Sequence, residues 1–136
     1  MTACILHVGR KEMFQADSPA GRFSVFFEDD GETGHFYALD QQRGPENPIV
    51  DAVHIYNVGN VQDADRPSEL SIVWSVDGEK CALLINDYPH AAFDFAAKRG
   101  YCRTNFPNFE DTGTWFGASH EWSDEAVAWL RADGEA

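Results

Sequence analysis

The most regular signal along the chain is an alternation of apolar and polar residues, which is typical of half-buried β-strands. It is clearest around Asp77-Gly78, a pair favoured in two-residue hairpin turns of type I′, where both residues take positive φ. A turn at this point sets an antiparallel register that predicts one buried face. It pairs apolar residues at every second position: Trp74 with Cys81, Ile72 with Leu83, and Leu70 with Ile85. The thiol of Cys81 is therefore expected in the core.

The register of the next strand, HAAFDF at 90–95, stays open because its turn holds either two or four residues. A two-residue loop places His90 opposite Leu83. A four-residue loop brings Ala91 opposite Leu84. Both alternatives give a three-stranded meander.

Further strands are predicted at 22–28, 35–39 and 51–58, with weaker candidates at 4–8 and 101–106. One helix is predicted near the C-terminus, where Ser123 can cap it and Trp122 can pack against Val127 as a hydrophobic staple. The predicted fold class is α+β and β-rich. We expect one domain over residues 1–136, an antiparallel meander of about six to eight strands with a short C-terminal helix packed on the sheet.

Charge narrows the range of partners. Ten Lys and Arg stand against 23 Asp and Glu, giving a net charge of −13. An acidic surface repels phosphate backbones and anionic lipids, so we expect no nucleic-acid or membrane binding.

The N-terminal residues lack the pattern of a secretory signal. The three cysteines form no CxxC pair and no cofactor motif occurs, so a cytoplasmic protein with no cofactor is predicted.

Two groups of residues are candidates for a site. The first combines acids of the turn at 28–34 with aromatic residues of the irregular segment 106–122, a composition that suits binding of a partner. Its members are Asp29, Asp30, Glu32, Phe109, Trp115 and Phe116. The plainer interpretations are a solvated hairpin loop and a loop whose rings cover the core. The acidic turn does not fit an EF-hand, because the twelfth position counted from Asp29 is Asp40 rather than Glu, and the intervening HFYAL is strand-like.

The second group is a polar cluster that would form a site if strands brought its members around a pocket: His54, Tyr56 and His90. His54 and Tyr56 alternate along one predicted strand and are expected on one face of it. The motifs HExxH, GxSxG, the P-loop and GxGxxG are absent from the sequence. No catalytic, cofactor-binding or metal-binding residue is therefore predicted.

Three segments resemble a family of small bacterial proteins catalogued as a domain of unknown function, family 2251: FFEDDGETGHFYALD, DAVHIYNV and WSVDGEKCALLINDYPHAAFDFAAKRGYCRTNFP. The resemblance spans Ser18 to Pro107. It implies a bacterial origin and a single β-rich domain, and it implies no activity, cofactor or catalytic residue.

Two function hypotheses follow. The leading one is a non-catalytic cytoplasmic bacterial protein that acts by binding another protein, in its concrete form an acidic inhibitor or immunity-type protein that neutralises a basic toxin or enzyme. Opposite charges would speed that association. The alternative is a small-molecule-binding or metal-dependent enzyme whose site is built from histidine, tyrosine and acidic residues on strands.

Overall fold

The computed structural model describes residues 2–46, 48–104, 115 and 120–131, and within these ranges nine strands form two antiparallel sheets. The five-stranded sheet contains, in spatial order, β1 (Thr2–Leu6), β6 (Ser68–Trp74), β7 (Lys80–Ile85), β8 (Tyr88–Asp94) and β9 (Arg99–Cys102). The four-stranded sheet contains β2 (Glu12–Asp17), β3 (Phe23–Asp29), β4 (Thr33–Asp40) and β5 (Ile49–Asn57). The β-rich antiparallel α+β class is confirmed, with two sheets where one meander was expected.

The two sheets pack face to face around one apolar core, because alternate residues of their strands point inward. Phe36 of β4 and Phe93 of β8 stack across the interface with ring centroids 4.9 Å apart. The fully buried side chains come from both sheets and include Val25, Phe27, Ile72 and Leu83. Burial of both inner faces is what joins the two sheets.

The hairpin of β6 and β7 has the predicted register, with Trp74 opposite Cys81. Its turn differs from the prediction. The backbone N–H of Ser75 donates to the carbonyl of Lys80 at 2.8 Å, and only Gly78 of the predicted turn pair has positive φ, at 73°. The connection is therefore a four-residue loop rather than a type I′ turn. The register survives because the four-residue loop 76–79 has the same centre as the predicted turn at Asp77-Gly78, so Ser75 still faces Lys80 and Trp74 still faces Cys81.

The turn between β7 and β8 is the two-residue type, since Asn86-Asp87 has positive φ at both residues, 53° and 66°. A β-bulge follows at once, so that Leu83 pairs with Ala91. The two-residue alternative is therefore correct for the turn, but its pairing of His90 with Leu83 is not formed, because His90 is the extra residue of the bulge. The four-residue alternative, with Ala91 opposite Leu84, is wrong. Pro89 lies beside His90 and has no N–H to give to a regular ladder. The shift lets Ala91 enter the core.

The C-terminal helix Asp124–Arg131 is present and has 3-10 geometry. Arg103 connects it to the sheet: the guanidinium lies 4.1 Å from the ring centroid of Trp122 and 4.3 Å from that of Tyr88. The Nε of Arg103 also donates to the carbonyl of Pro89 at 2.6 Å. Trp122 therefore packs on a cation, and its Nε1 donates to Oδ1 of Asp124 at the start of the helix at 2.9 Å. The predicted packing of Trp122 against Val127 stays a prediction. Shorter 3-10 helices cover Gln41–Arg43 and Val58–Asn60, and in the described ranges no helix has the length and apolar character needed to cross a membrane.

Candidate functional site

The acidic turn after β3 contains one buried carboxylate. Asp29 is 1% exposed. Its Oδ2 accepts hydrogen bonds from the backbone N–H of Gly9 and the hydroxyl of Tyr56, both at 2.7 Å, and its Oδ1 accepts one from the N–H of Gly31 at 2.8 Å. Burial, and then the hydrogen bond to Asp29, raise the pKa of Tyr56 above its usual range. Asp29 is an internal anchor, and the expectation of a solvated acid at this position is wrong.

Asp30 and Glu32, the other two candidate acids of this turn, are exposed. The Oδ1 of Asp30 accepts from the backbone N–H groups of Glu32 at 2.9 Å and Thr33 at 2.8 Å. These backbone hydrogen bonds lower the pKa of Asp30. Both acids therefore present negative charge to solvent at the end of β3 and β4.

The predicted cluster of His54, Tyr56 and His90 is not brought together. A β-bulge between β4 and β5 separates the first two, so that His54 pairs with His35 while Tyr56 pairs with Gly34. Tyr56 reaches the inner side of the sheet, where it meets Asp29, and the shared face expected from alternation is wrong. His90 belongs to the other sheet and contacts Tyr88 edge to face at 5.4 Å.

His54 is instead the neighbour of His35 on the outer face of the four-stranded sheet, with ring centroids 4.5 Å apart. The Nε2 of His54 lies 2.9 Å from Oδ1 of Asn57 and 3.1 Å from the carbonyl of Tyr56. Facing two oxygen acceptors, this nitrogen carries the proton. Burial, and then the nearby His54, lower the pKa of His35. In the part of the chain that is described, no three His, Cys, Asp or Glu side chains are grouped to hold a metal ion.

Trp115 closes one end of the core. It is 6% exposed, and its ring meets Phe93 and Phe95 edge to face at 5.9 and 5.3 Å. Its backbone N–H donates to the carbonyl of Val50 at 3.3 Å. This agrees with the plainer interpretation of an aromatic ring that covers the core. The predicted candidates Phe109 and Phe116 lie outside the described residues.

The buried pair Asp51 and His120 was not found from the sequence. The Nε2 of His120 lies 2.9 and 2.8 Å from the two carboxylate oxygens of Asp51, and both side chains are largely buried. The carbonyl of His120 accepts from the N–H of Cys102 at 2.9 Å. The pair therefore fastens the segment before the C-terminal helix to β5 and β9. No local sequence motif indicates the pair, because 69 residues separate the two partners.

A second feature missed from the sequence is an aromatic outer face on the four-stranded sheet. Phe26 of β3 and Tyr37 of β4 are direct neighbours, and their rings stack with centroids 4.4 Å apart. Neither belongs to the core cluster of described residues, and both are half-buried. Met13 and Glu28 pair beside them on the same side of the sheet. We call this surface of Met13, Phe26, Glu28 and Tyr37 the outer aromatic face.

Comparison with known proteins places the chain in a family. Residues 6–131 match the family model described as "Uncharacterized protein conserved in bacteria (DUF2251)". The chain belongs to this family. An uncharacterized protein of Haemophilus influenzae is 46% identical over 93 residues, which cover 68% of this chain and 57% of that protein's length. The chain therefore matches little more than half of that relative. No solved structure matches this chain.

Proposed function

We propose that this protein is a non-catalytic binding protein whose outer aromatic face binds a basic protein. The observation that carries the proposal is the Phe26–Tyr37 stack, which lies outside the core and is bordered by acidic side chains. The proposal keeps the class expected from the sequence, an acidic protein that neutralises a basic partner. It assigns the contact to a surface that the sequence did not indicate.

The aromatic residues support an interface because the outer face of an antiparallel sheet is ordinarily polar. Two stacked rings on adjacent strands offer a large rigid contact at little cost in side-chain entropy. Met13, 63% exposed, extends the apolar surface toward the edge strand β2. Clusters of aromatic residues of this kind supply the central contacts of many protein–protein interfaces.

The acids around the rings favour a basic partner. Burial, and then the negative charges of Glu28 and Asp30, raise the pKa of Tyr37. Both carboxylates therefore lie near the phenol. Glu32 is exposed on the adjoining turn. A Lys or Arg of a partner could contact a carboxylate and a ring face together. The net charge of −13 would attract a basic partner from a distance.

Several reactive side chains are already used inside the fold, which supports a non-catalytic role. Asp29 accepts three hydrogen bonds, Asp51 faces His120, and the pKa of the buried Cys81 thiol is raised by burial. A thiol with a raised pKa is a poor nucleophile. These groups serve packing and the joining of segments rather than a reacting substrate.

The test is capture of partners from lysate of a bacterium that carries the gene, with the purified protein as bait at low and high salt. We expect a basic protein that is released by salt, and whose binding is weakened about tenfold or more by Phe26→Ser or Glu28→Lys. Glu69→Lys is the matched control, since Glu69 is an exposed acid of the other sheet. Thermal melts would confirm that each variant is folded. Equal binding of Glu28→Lys and Glu69→Lys to every captured protein would contradict the proposal.

A further inference from the structure

A second site is suggested by an open cleft that lies apart from the outer aromatic face. The cleft has a volume of about 460 Å³ and is formed where the start of β3 and the end of β4 meet the turn after β8. Its polar lining carries three cations, Arg22, Arg43 and Lys98. Its apolar lining includes Phe23, Phe95 and Trp115. We propose that this cleft binds a small planar organic anion, an aromatic monocarboxylate.

The charge of the lining supports an anionic ligand. The protein has ten Lys and Arg against 23 Asp and Glu, yet three of those ten cations line one cleft. Only two acids, Asp40 and Glu79, are among its lining residues, which leaves one net positive charge in a protein of net charge −13. A cleft whose net charge is opposite in sign to that of the whole protein concentrates anions that the rest of the surface repels.

The three cations differ in how far their donor groups are already bonded within the protein. Arg22 is held by Asp40 through two hydrogen bonds, from Nε to Oδ1 at 3.1 Å and from Nη2 to Oδ2 at 2.9 Å. Arg43 gives Nη1 to the carbonyl of Ile49 at 2.9 Å, which leaves its other donors for a ligand. The ammonium of Lys98 makes no ion pair with any described residue. Arg43 and Lys98 are therefore the groups that would hold a carboxylate.

The aromatic lining selects the shape of the ligand. Phe23 and Phe95 stack with ring centroids 4.3 Å apart and 18° between their planes. Phe95 meets Trp115 edge to face at 5.3 Å, and the Arg22 guanidinium lies 5.0 Å from the ring centroid of Phe23. Phe95 and Trp115 are 5% and 6% exposed, so a flat apolar body would contact the edges of these rings while its charged group reaches the cations. The volume falls within the range of small-molecule sites, about 300–1,000 Å³. One net positive charge matches a monocarboxylate better than a phosphate dianion.

The test is calorimetric titration of the full chain with three planar monocarboxylates, benzoate, nicotinate and 2-naphthoate, followed by Trp fluorescence. We expect saturable binding of at least one of them with one site per chain. Lys98→Gln and Arg43→Gln should each weaken that binding about tenfold or more. Lys11→Gln is the control, because Lys11 is an exposed cation in another turn, and it should leave binding unchanged.

The neutral analogue benzyl alcohol and inorganic phosphate separate charge from shape. Both are expected to bind at least about tenfold more weakly than the best carboxylate. The proposal is overturned if none of the three carboxylates binds, or if either analogue binds as tightly as the best carboxylate. It is also overturned if Lys98→Gln binds the carboxylate as tightly as Lys11→Gln does. The outer aromatic face shares none of these cations, so failure here leaves the proposed protein binding standing.

Discussion

The hydroxyl of Tyr56 donates a hydrogen bond of 2.7 Å to Oδ2 of Asp29, joining β5 to the end of β3 across 27 residues of sequence. The ring of Tyr56 also covers Gly34, where an added Cβ would stand 2.7 Å from the Cζ of the tyrosine. Glycine at position 34 thus leaves the room that the ring needs. The same carboxylate holds the N–H of Gly9, so one buried acid organises the strand ends and the turn before β2.

Tyr56→Phe is expected to lower the free energy of unfolding by about 1.5–3 kcal/mol, because it removes a hydrogen bond to a buried carboxylate. Urea midpoints at neutral pH would measure the change. Tyr101→Phe is the control: Tyr101 lies half-buried in β9, and the change should stay within about 0.5 kcal/mol. Equal midpoints for the two variants would show that the Asp29 contact contributes little.

Alkaline pH is expected to destabilise the protein. The pKa of Tyr56 is raised above its ordinary 10.0 in the folded state. The unfolded chain therefore loses this proton near that value while the folded chain keeps it, so stability is full below pH 10 and falls as pH rises. The urea midpoint of Tyr56→Phe should therefore fall less than that of the parent protein between about pH 8 and 11. Burial also raises the pKa of Cys81 above its ordinary 9.0, so this thiol too lowers stability as pH rises, and its contribution remains in the Tyr56→Phe variant.

Trp74→Ala is expected to cost about 3 kcal/mol, since it removes a large side chain packed against the core. The ring of Trp74 stacks on Phe95 with centroids 5.8 Å apart. Chemical denaturation of Trp74→Ala beside Asp65→Ala, an exposed acid, would measure the difference. Asp30→Ala is unsuitable as a neutral control, because the Asp30 carboxylate accepts backbone hydrogen bonds that hold its turn. A parent-like midpoint for Trp74→Ala would contradict its packing role.

Arg103→Lys is expected to loosen the C-terminal helix while the charge is kept. Lysine lacks the planar guanidinium that lies between Tyr88 and Trp122, and it also loses the hydrogen bond from Nε to Pro89. Amide hydrogen exchange within 124–131 should speed up by about tenfold or more, and tenfold corresponds to roughly 1.4 kcal/mol. Arg66→Lys, at an exposed loop position, is the matched control. Unchanged exchange in Arg103→Lys would mean that the stack does not hold the helix.

The sequence was most informative where local alternation alone decides the structure. The pairing of Trp74 with Cys81 was predicted correctly even though the turn type was wrong, because the predicted and the observed turn share the centre Asp77-Gly78. Alternation failed at two of the register shifts in the described strands. One bulge moved Tyr56 away from the face of His54, and the other displaced His90 from the register with Leu83.

The candidate sites were less predictable because they depend on contacts distant in sequence. Asp29 and Asp30 are adjacent acids in the same turn, yet one is buried by Gly9 and Tyr56 while the other faces solvent. Nothing local distinguishes them. The cleft is likewise lined by residues distant in sequence, since Arg22 precedes a strand of one sheet and Lys98 follows a strand of the other.

The pairing of β1 with β6 has a consequence for the order of assembly. Strands β2 to β5 follow one another and form their sheet from consecutive neighbours, whereas Thr2 of β1 must find Ile72 of β6. Closing so long a loop carries a larger entropic cost than closing a hairpin, so we expect β1 to dock late in folding. During translation β1 leaves the ribosome before β2 to β5, and its partner β6 leaves after them. Leu6, buried in the finished protein, stays without that partner strand throughout this interval.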